Sequence, residues 1–167
     1  MVDIDQSEHV RSIAELKQRT RYIELQELIL VQSIVPEDYW SFFTDWNYDY
    51  PKSILVGIIQ VETNWINVRS GSQNNDGSVD LGLAQLNSAY IDYFVRKYWD
   101  KNADFDTFNG LHSLHIAAEH IQWLYNETLS FENTIRAYNI GIGSVRNGWR
   151  QRSGNLYLRK VLEALDI

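Results

Sequence analysis

Apolar and polar positions alternate along this chain with a period close to that of an α-helix over most of its length. From Ser7 to about Ile34 there is no Gly or Pro, and Val10, Ile13, Leu16, Ile23 and Leu28 recur near helical spacing, which predicts a long amphipathic helix. Val35-Pro36-Glu37-Asp38 ends it and starts a short second helix, with Pro tolerated in a first turn and acids suited to a helix N-terminus. Tyr39, Trp40, Phe42, Phe43 and Trp46 follow, a density of rings that reads as packing surface, while Tyr48 and Tyr50 suit either packing or a sugar platform. A third helix is expected from Pro51-Lys52-Ser53 to Trp65. The segment from Asn67 to Asp80 is then rich in Ser, Asn, Asp and Gly, and Asp76-Gly77 fits a tight turn, so a small β hairpin or irregular loop belongs there. Ser88 is placed to cap a helix bearing Ile91, Phe94, Val95 and Tyr98. Leu111 to Tyr125 predicts another helix, a shorter one ends at Tyr138-Asn139, Gly141 and Gly143 break the chain, and Asn155 to Leu165 closes it helically. The reading is a mainly α chain with a helical N-terminal extension over 1–49 packed on a domain over 50–167.

Length supports one compact core without metal or disulfide staples, since a chain of 167 residues hides roughly 70% of its unfolded surface. The absence of Cys leaves the redox compartment open. The longest nearly unbroken apolar run, Ile54 to Val61, is far short of the ~20 residues of a membrane-spanning helix. The acidic start, Met1-Val2-Asp3-Ile4-Asp5, lacks the basic and apolar stretches of a secretory signal, so any export signal is expected to have been removed or never present. A formal net charge of -7 argues against general nucleic-acid binding. The charge is uneven, however. Arg136, Arg146, Arg150, Arg152, Arg159 and Lys160 lie in a stretch with no acid, so that stretch carries +6 and the remainder -13. Such a face either favours an anionic ligand or simply solvates helices and loops.

Glu62 is the informative oddity. Leu55, Ile58 and Ile59 precede it by seven, four and three residues, so a carboxyl group shares the apolar face of its helix. Burial raises the pKa of such a group, and a carboxylic acid that keeps its proton can donate it to a leaving oxygen; the alternative is a structural brace held by an Arg or by backbone N–H groups. Asp80, at the far end of the polar loop, supplies a second carboxylate. Two acids are the equipment of glycosidic bond cleavage, although an Asp also commonly bonds its own turn.

Three motifs, Glu62-Thr63-Asn64-Trp65, Gly82-Leu83-Ala84-Gln85-Leu86-Asn87 and Ala137-Tyr138-Asn139-Ile140-Gly141, resemble in order and spacing those of the soluble lytic transglycosylase (SLT) domain of the lysozyme superfamily. The tail Asn155 to Leu162 is similar to that family's last helix, and the resemblance covers roughly Tyr50 to Leu165. It implies a lysozyme-like fold that cleaves peptidoglycan glycan strands without a cofactor. It further implies Glu62 as catalytic acid and base, Gln85 as a groove residue on the substrate, Tyr138 as support for the glutamate and Asn139 as a backbone tie. Thr63 stands where the family usually has Ser, and Ala84 where it has a Met that touches sugar. Trp65, beside Glu62, is the tryptophan best placed to stack on a sugar ring. The stretch Asn75 to Ser88 also resembles chicken-type lysozymes, which implies Asp80 as second catalytic carboxylate.

The readings that follow are a lytic transglycosylase, a hydrolytic muramidase, or a catalytically silent glycan-binding module of an envelope assembly. The substrate implies the periplasm or cell envelope, or a phage-encoded enzyme released at lysis. His112, His115 and Glu119 have a spacing that suits a metal but lack any accompanying motif, so they read as an ordinary helix face. Trp99, Trp123 and Trp149 read mainly as packing residues, and Gly141-Ile142-Gly143 as a helix stop rather than a phosphate loop.

Overall fold

The computed structural model describes residues 6–100 and 103–165. The acidic start of the chain and the side chains of Val10, Ile13 and Leu16 lie outside the described residues. Eight α-helices and one small sheet follow in the order α1 (Gln6–Ile34), a 3-10 turn (Glu37–Tyr39), α2 (Trp40–Thr44), α3 (Lys52–Thr63), β1 (Val68–Arg69), β2 (Asp80–Gly82), β3 (Leu86–Asn87), α4 (Ile91–Tyr98), α5 (Gly110–Thr128), α6 (Phe131–Ile140), α7 (Ile142–Arg146) and α8 (Gln151–Ala164). The mainly α architecture with a small β element after the third helix is the one the periodicity predicts.

α3 is the central element. Ile54 through Ile59 are buried without interruption, so this helix is covered nearly all round by α1, α5, α6 and α8. An apolar helix with no solvent face is a core helix. α8 approaches it where Gly57 has no side chain: a Cβ there would meet Val161 and Leu165 at 2.9 Å. α1 adds Val31 and Val35 to the same core, while Ile23 and Leu28, expected on its apolar face, are exposed. The stripe that packs is instead set near Leu30, Val31, Ile34 and Val35, at the end of α1 that meets α3. The rings after α2 serve packing. Phe43 stacks on Trp46, Tyr50 is buried with its hydroxyl donating to the Ala118 carbonyl at 3.1 Å, and the Tyr48 hydroxyl donates to Glu119.

Several boundaries differ from expectation for identifiable reasons. α3 stops at Thr63 because Asn64 and Trp65 take left-handed backbone, φ 51° and 62°. Ser88 does not cap α4; its hydroxyl accepts the Val79 N–H at 2.9 Å and so ties β2's approach to β3. Gly141 ends α6 with φ 80°, as expected, but Gly143 lies inside the short α7. The antiparallel sheet has the order β1-β2-β3, with Val68 opposite Gly82 and Asp80 opposite Asn87. Its first turn is closed by the Gly77 N–H on the Asn74 carbonyl, with Gly77 at φ 83°, in agreement with the turn expected at Asp76-Gly77.

Candidate active site

Glu62 occupies the last turn of α3, one residue before the helix ends. It is half-buried, and burial raises its pKa above the ordinary 4.5, opposed by a hydrogen bond from Tyr157 and reinforced by the negative charge of Asp80. Lys160, one turn beyond Tyr157 on α8, acts in the same direction as the tyrosine. The Tyr157 hydroxyl donates to Glu62 Oε1 at 2.5 Å. No guanidinium holds this carboxyl group among the described residues, so the brace by an arginine is not what the fold builds.

Tyr157 is the functional neighbour that the motifs leave unread. Its signal is present on α8, where Tyr157, Leu158 and Val161 form the buried stripe, because a tyrosine hydroxyl carried into a core must find a polar partner. Tyr138, expected to support the glutamate, instead donates to the Ala84 carbonyl at 2.8 Å. It therefore bears on the site through the backbone of the turn it fixes. Burial, followed by the charge of Glu62, pushes the hydroxyls of Tyr138 and Tyr157 well above the usual tyrosine range, which keeps both protonated as donors.

The turn from Gly82 to Gln85 is pinned from three helices. The Thr63 hydroxyl on α3 donates to the Leu83 carbonyl at 2.8 Å, the Ser113 hydroxyl on α5 accepts the Ala84 N–H at 3.0 Å, and Tyr138 on α6 holds the Ala84 carbonyl. Thr63 therefore works as a bridge between the helix end and the turn. Ala84 is fully buried and meets its surroundings through its backbone, so its methyl group is not available to a ligand. Gln85, at φ 50°, turns its amide onto the carbonyls of Gly82 and Val68 at 3.0 and 3.2 Å, and so braces the sheet next to the glutamate.

Asp80 starts β2 and faces the same region. Its Oδ1 accepts from the side-chain amides of Asn87 at 3.2 Å and Asn74 at 3.3 Å, and Ser78 accepts from both amides as well. Two neutral amides thus fix the direction of this carboxyl group. The self-bonding turn role falls to Asp76, whose carboxylate accepts from the Ser78 N–H and hydroxyl.

Other expected positions fall elsewhere. Trp65 is 8% exposed and packs against Tyr39 and Phe43, because its left-handed backbone turns the ring into the core instead of along the helix face that bears Glu62. Asn139 is exposed, and its side chain ties no backbone among the described residues. His112 accepts the Asp106 N–H and, with His115, packs on Trp99; Glu119 receives Tyr48. Trp99 donates to Ala103, and Trp123 stacks on His120 with the Lys97 ammonium over its face, so both are packing residues. Trp149 is 64% exposed.

A half-buried glutamic acid at the end of a core helix, facing a small three-stranded sheet that carries an aspartate, is the arrangement of a lysozyme-like domain. The model of the family described as the transglycosylase SLT domain matches residues 40–159, and the chain belongs to that family, whose members are of lytic transglycosylase type and act on peptidoglycan. A search of curated proteins found none that matches the chain.

Proposed function

We propose that the protein is a lytic transglycosylase that cleaves the bond between N-acetylmuramic acid and N-acetylglucosamine and leaves a 1,6-anhydro end. Glu62 donates its proton to the glycosidic oxygen as the C1–O bond breaks, and the departing sugar leaves as an alcohol. The resulting carboxylate then takes the proton of the muramic acid's 6-hydroxyl as O6 bonds to C1. Atoms balance without water, cofactor or metal. Asp80, together with the substrate's acetamido group, stabilises the positive charge that develops at C1.

The observation that carries this reading is the setting of Glu62, half-buried in the last turn of α3 with the Tyr157 hydroxyl on its Oε1 and the aspartate-bearing strand close by. Desolvation and Asp80 favour the protonated acid, while Tyr157 and Lys160 favour the carboxylate. Burial is the largest of these influences and raises the pKa, and a carboxyl group that holds its proton more tightly is suited to deliver it to a leaving oxygen. Tyr157 occupies Oε1, which leaves Oε2 for the moving proton. Replacing Glu62 by Gln is expected to lower turnover of purified sacculi at least about a hundredfold with strand binding retained, because the lost interaction belongs to the transition state. An active Glu62→Gln enzyme would sink the assignment.

A hydrolytic muramidase is the second reading, favoured by the amide-held carboxylate of Asp80 within electrostatic reach of Glu62. Mass spectrometry of the products separates the two, since an anhydro-muropeptide is one water lighter than its hydrolysed counterpart. A silent glycan-binding module would leave no clearing in a murein gel. A peptidoglycan substrate is consistent with work in the periplasm or cell envelope, or in a phage lysis system, as part of this proposal.

A further inference from the structure

α6 and α8 pack closely at Gly154, where a Cβ would meet Ile140 Cδ1 at 3.0 Å and the Arg136 stem at 3.4 Å. Two helices in such contact leave a groove on either flank. Tyr138 and Tyr157 line the flank that contains Glu62. Positions two residues apart on a helix lie ~200° around its axis, so Arg136 and Asn155 belong to the opposite flank. There a cavity of about 300 Å³ opens between α6, α7 and α8.

Its lining combines a guanidinium, three carboxamides and an indole. Arg136 Nε donates to Asn155 Oδ1 at 2.8 Å and its Nη1 to Asn133 Oδ1 at 3.0 Å. These partners are neutral, so they orient the cation without cancelling it, and the Glu132 carboxylate, 3.9 Å away and largely exposed, screens it weakly. With their oxygens turned to Arg136, the two asparagines keep their NH2 groups for another acceptor, and Gln151 adds a third amide to the wall. Trp149 stands at the rim. It sits between Gly148 at φ 69° and Arg150 at φ 51°, and its backbone N–H donates to the Ser144 carbonyl at 2.8 Å. A bulky non-glycine residue in left-handed backbone is costly and persists where the surroundings enforce it. The turn held by these two left-handed neighbours, Gly148 and Arg150, leaves the Trp149 indole facing solvent.

A flat apolar face beside amides and one cation matches an N-acetylated hexosamine, whose C–H face stacks on the indole while its hydroxyl and acetamido groups bond the amides. We propose that this cavity is a second, non-catalytic binding site for N-acetylhexosamine units of a glycan strand. The proposal rests on the reading of peptidoglycan as substrate and adds a holding site to the cutting site.

The test uses ¹⁵N-labelled Glu62→Gln protein titrated with chitotetraose, which has no peptide and no carboxylate. The Trp149 indole N–H and Gln151 side-chain resonances are expected to shift saturably, and Arg136→Ala to weaken that binding about tenfold, the effect of losing a charged hydrogen-bond donor. In the otherwise unaltered enzyme, Trp149→Ala is expected to bind sacculi less well while cleaving short soluble strands at the original rate. Resonances at Trp149 and Gln151 that stay still while Gln85 responds would overturn the second site and leave the function standing. An enzyme that cleaves no murein yet shows a saturable Trp149 shift would do the reverse.

Discussion

At the scale of single residues the proposed chemistry depends on a carboxyl group whose proton is held by competing forces. Tyr157 donates to Glu62 and thereby favours the carboxylate, so Tyr157→Phe removes a lowering influence and the pKa of Glu62 rises further. Because the proposed first step needs the protonated acid, the basic limb of the kcat/KM profile on soluble strands is expected to move to higher pH in that variant. Stability gives an independent check. The folded pKa of Glu62 is raised, so between the ordinary value of 4.5 and the folded value the native state holds more protons than the unfolded one, and stability falls as pH rises through that window. Gln does not titrate. Glu62→Gln is therefore expected to melt higher than the original protein at neutral pH, with the advantage vanishing below about pH 4.5. A thermal melt at each pH measures it. Glu62 is legible in the sequence because a carboxyl group on an apolar stripe is an anomaly. Tyr157 and Trp65 are not: the one needs knowledge of which helices meet, and the other needs two left-handed residues that no periodicity reveals.

At the scale of elements the site is a junction held by backbone atoms more than by side chains. Helices α3, α5 and α6 each supply one hydroxyl to the turn between β2 and β3, and the turn in turn depends on Gly82, whose φ of 75° suits glycine. A methyl group there would also run into the Thr107 carbonyl. Gly82→Ala is expected to cost roughly 2 to 4 kcal/mol and to lower activity along with the melting temperature, which denaturant titration and turnover assays measure together. Long helices are readable from their apolar spacing, whereas their caps are not: Ser88, expected to cap α4, does not, while the Asn109 and Ser130 side chains, which the apolar spacing does not single out, cap α5 and α6. The strands were readable only as a polar, turn-rich stretch. Two- and three-residue strands are too short to display alternation, so β3 was hidden inside the motif Leu86-Asn87.

At the scale of the whole molecule one core joins α1, α3, α5 and α8, and a histidine limits its tolerance to acid. His120 lies among Phe94, Tyr98 and Trp123, and burial, with help from the Lys97 ammonium, pushes its pKa down from 6.5 to about 4. The unfolded chain therefore takes up a proton that the folded one refuses, and stability is lost as pH falls from 6.5 toward 4. His120→Phe is expected to flatten that decline, by at most about 3 kcal/mol at the acid end, in urea titrations compared across the same range. The basic stretch that stands out in the sequence is partly neutralised in space, since Arg146 pairs with Glu127 and Arg159 with Glu163.

The partner that steadies Glu62 is 95 positions further along the chain, on the closing helix. The hydroxyl beside Glu62 is therefore put in place by the docking of α8 at Gly57, so the proposed cutting site is complete only once two helices far apart in sequence have met. Removing α8 is expected to take away both the close contact at Gly57 and the hydroxyl at Glu62, and the proposed activity with them.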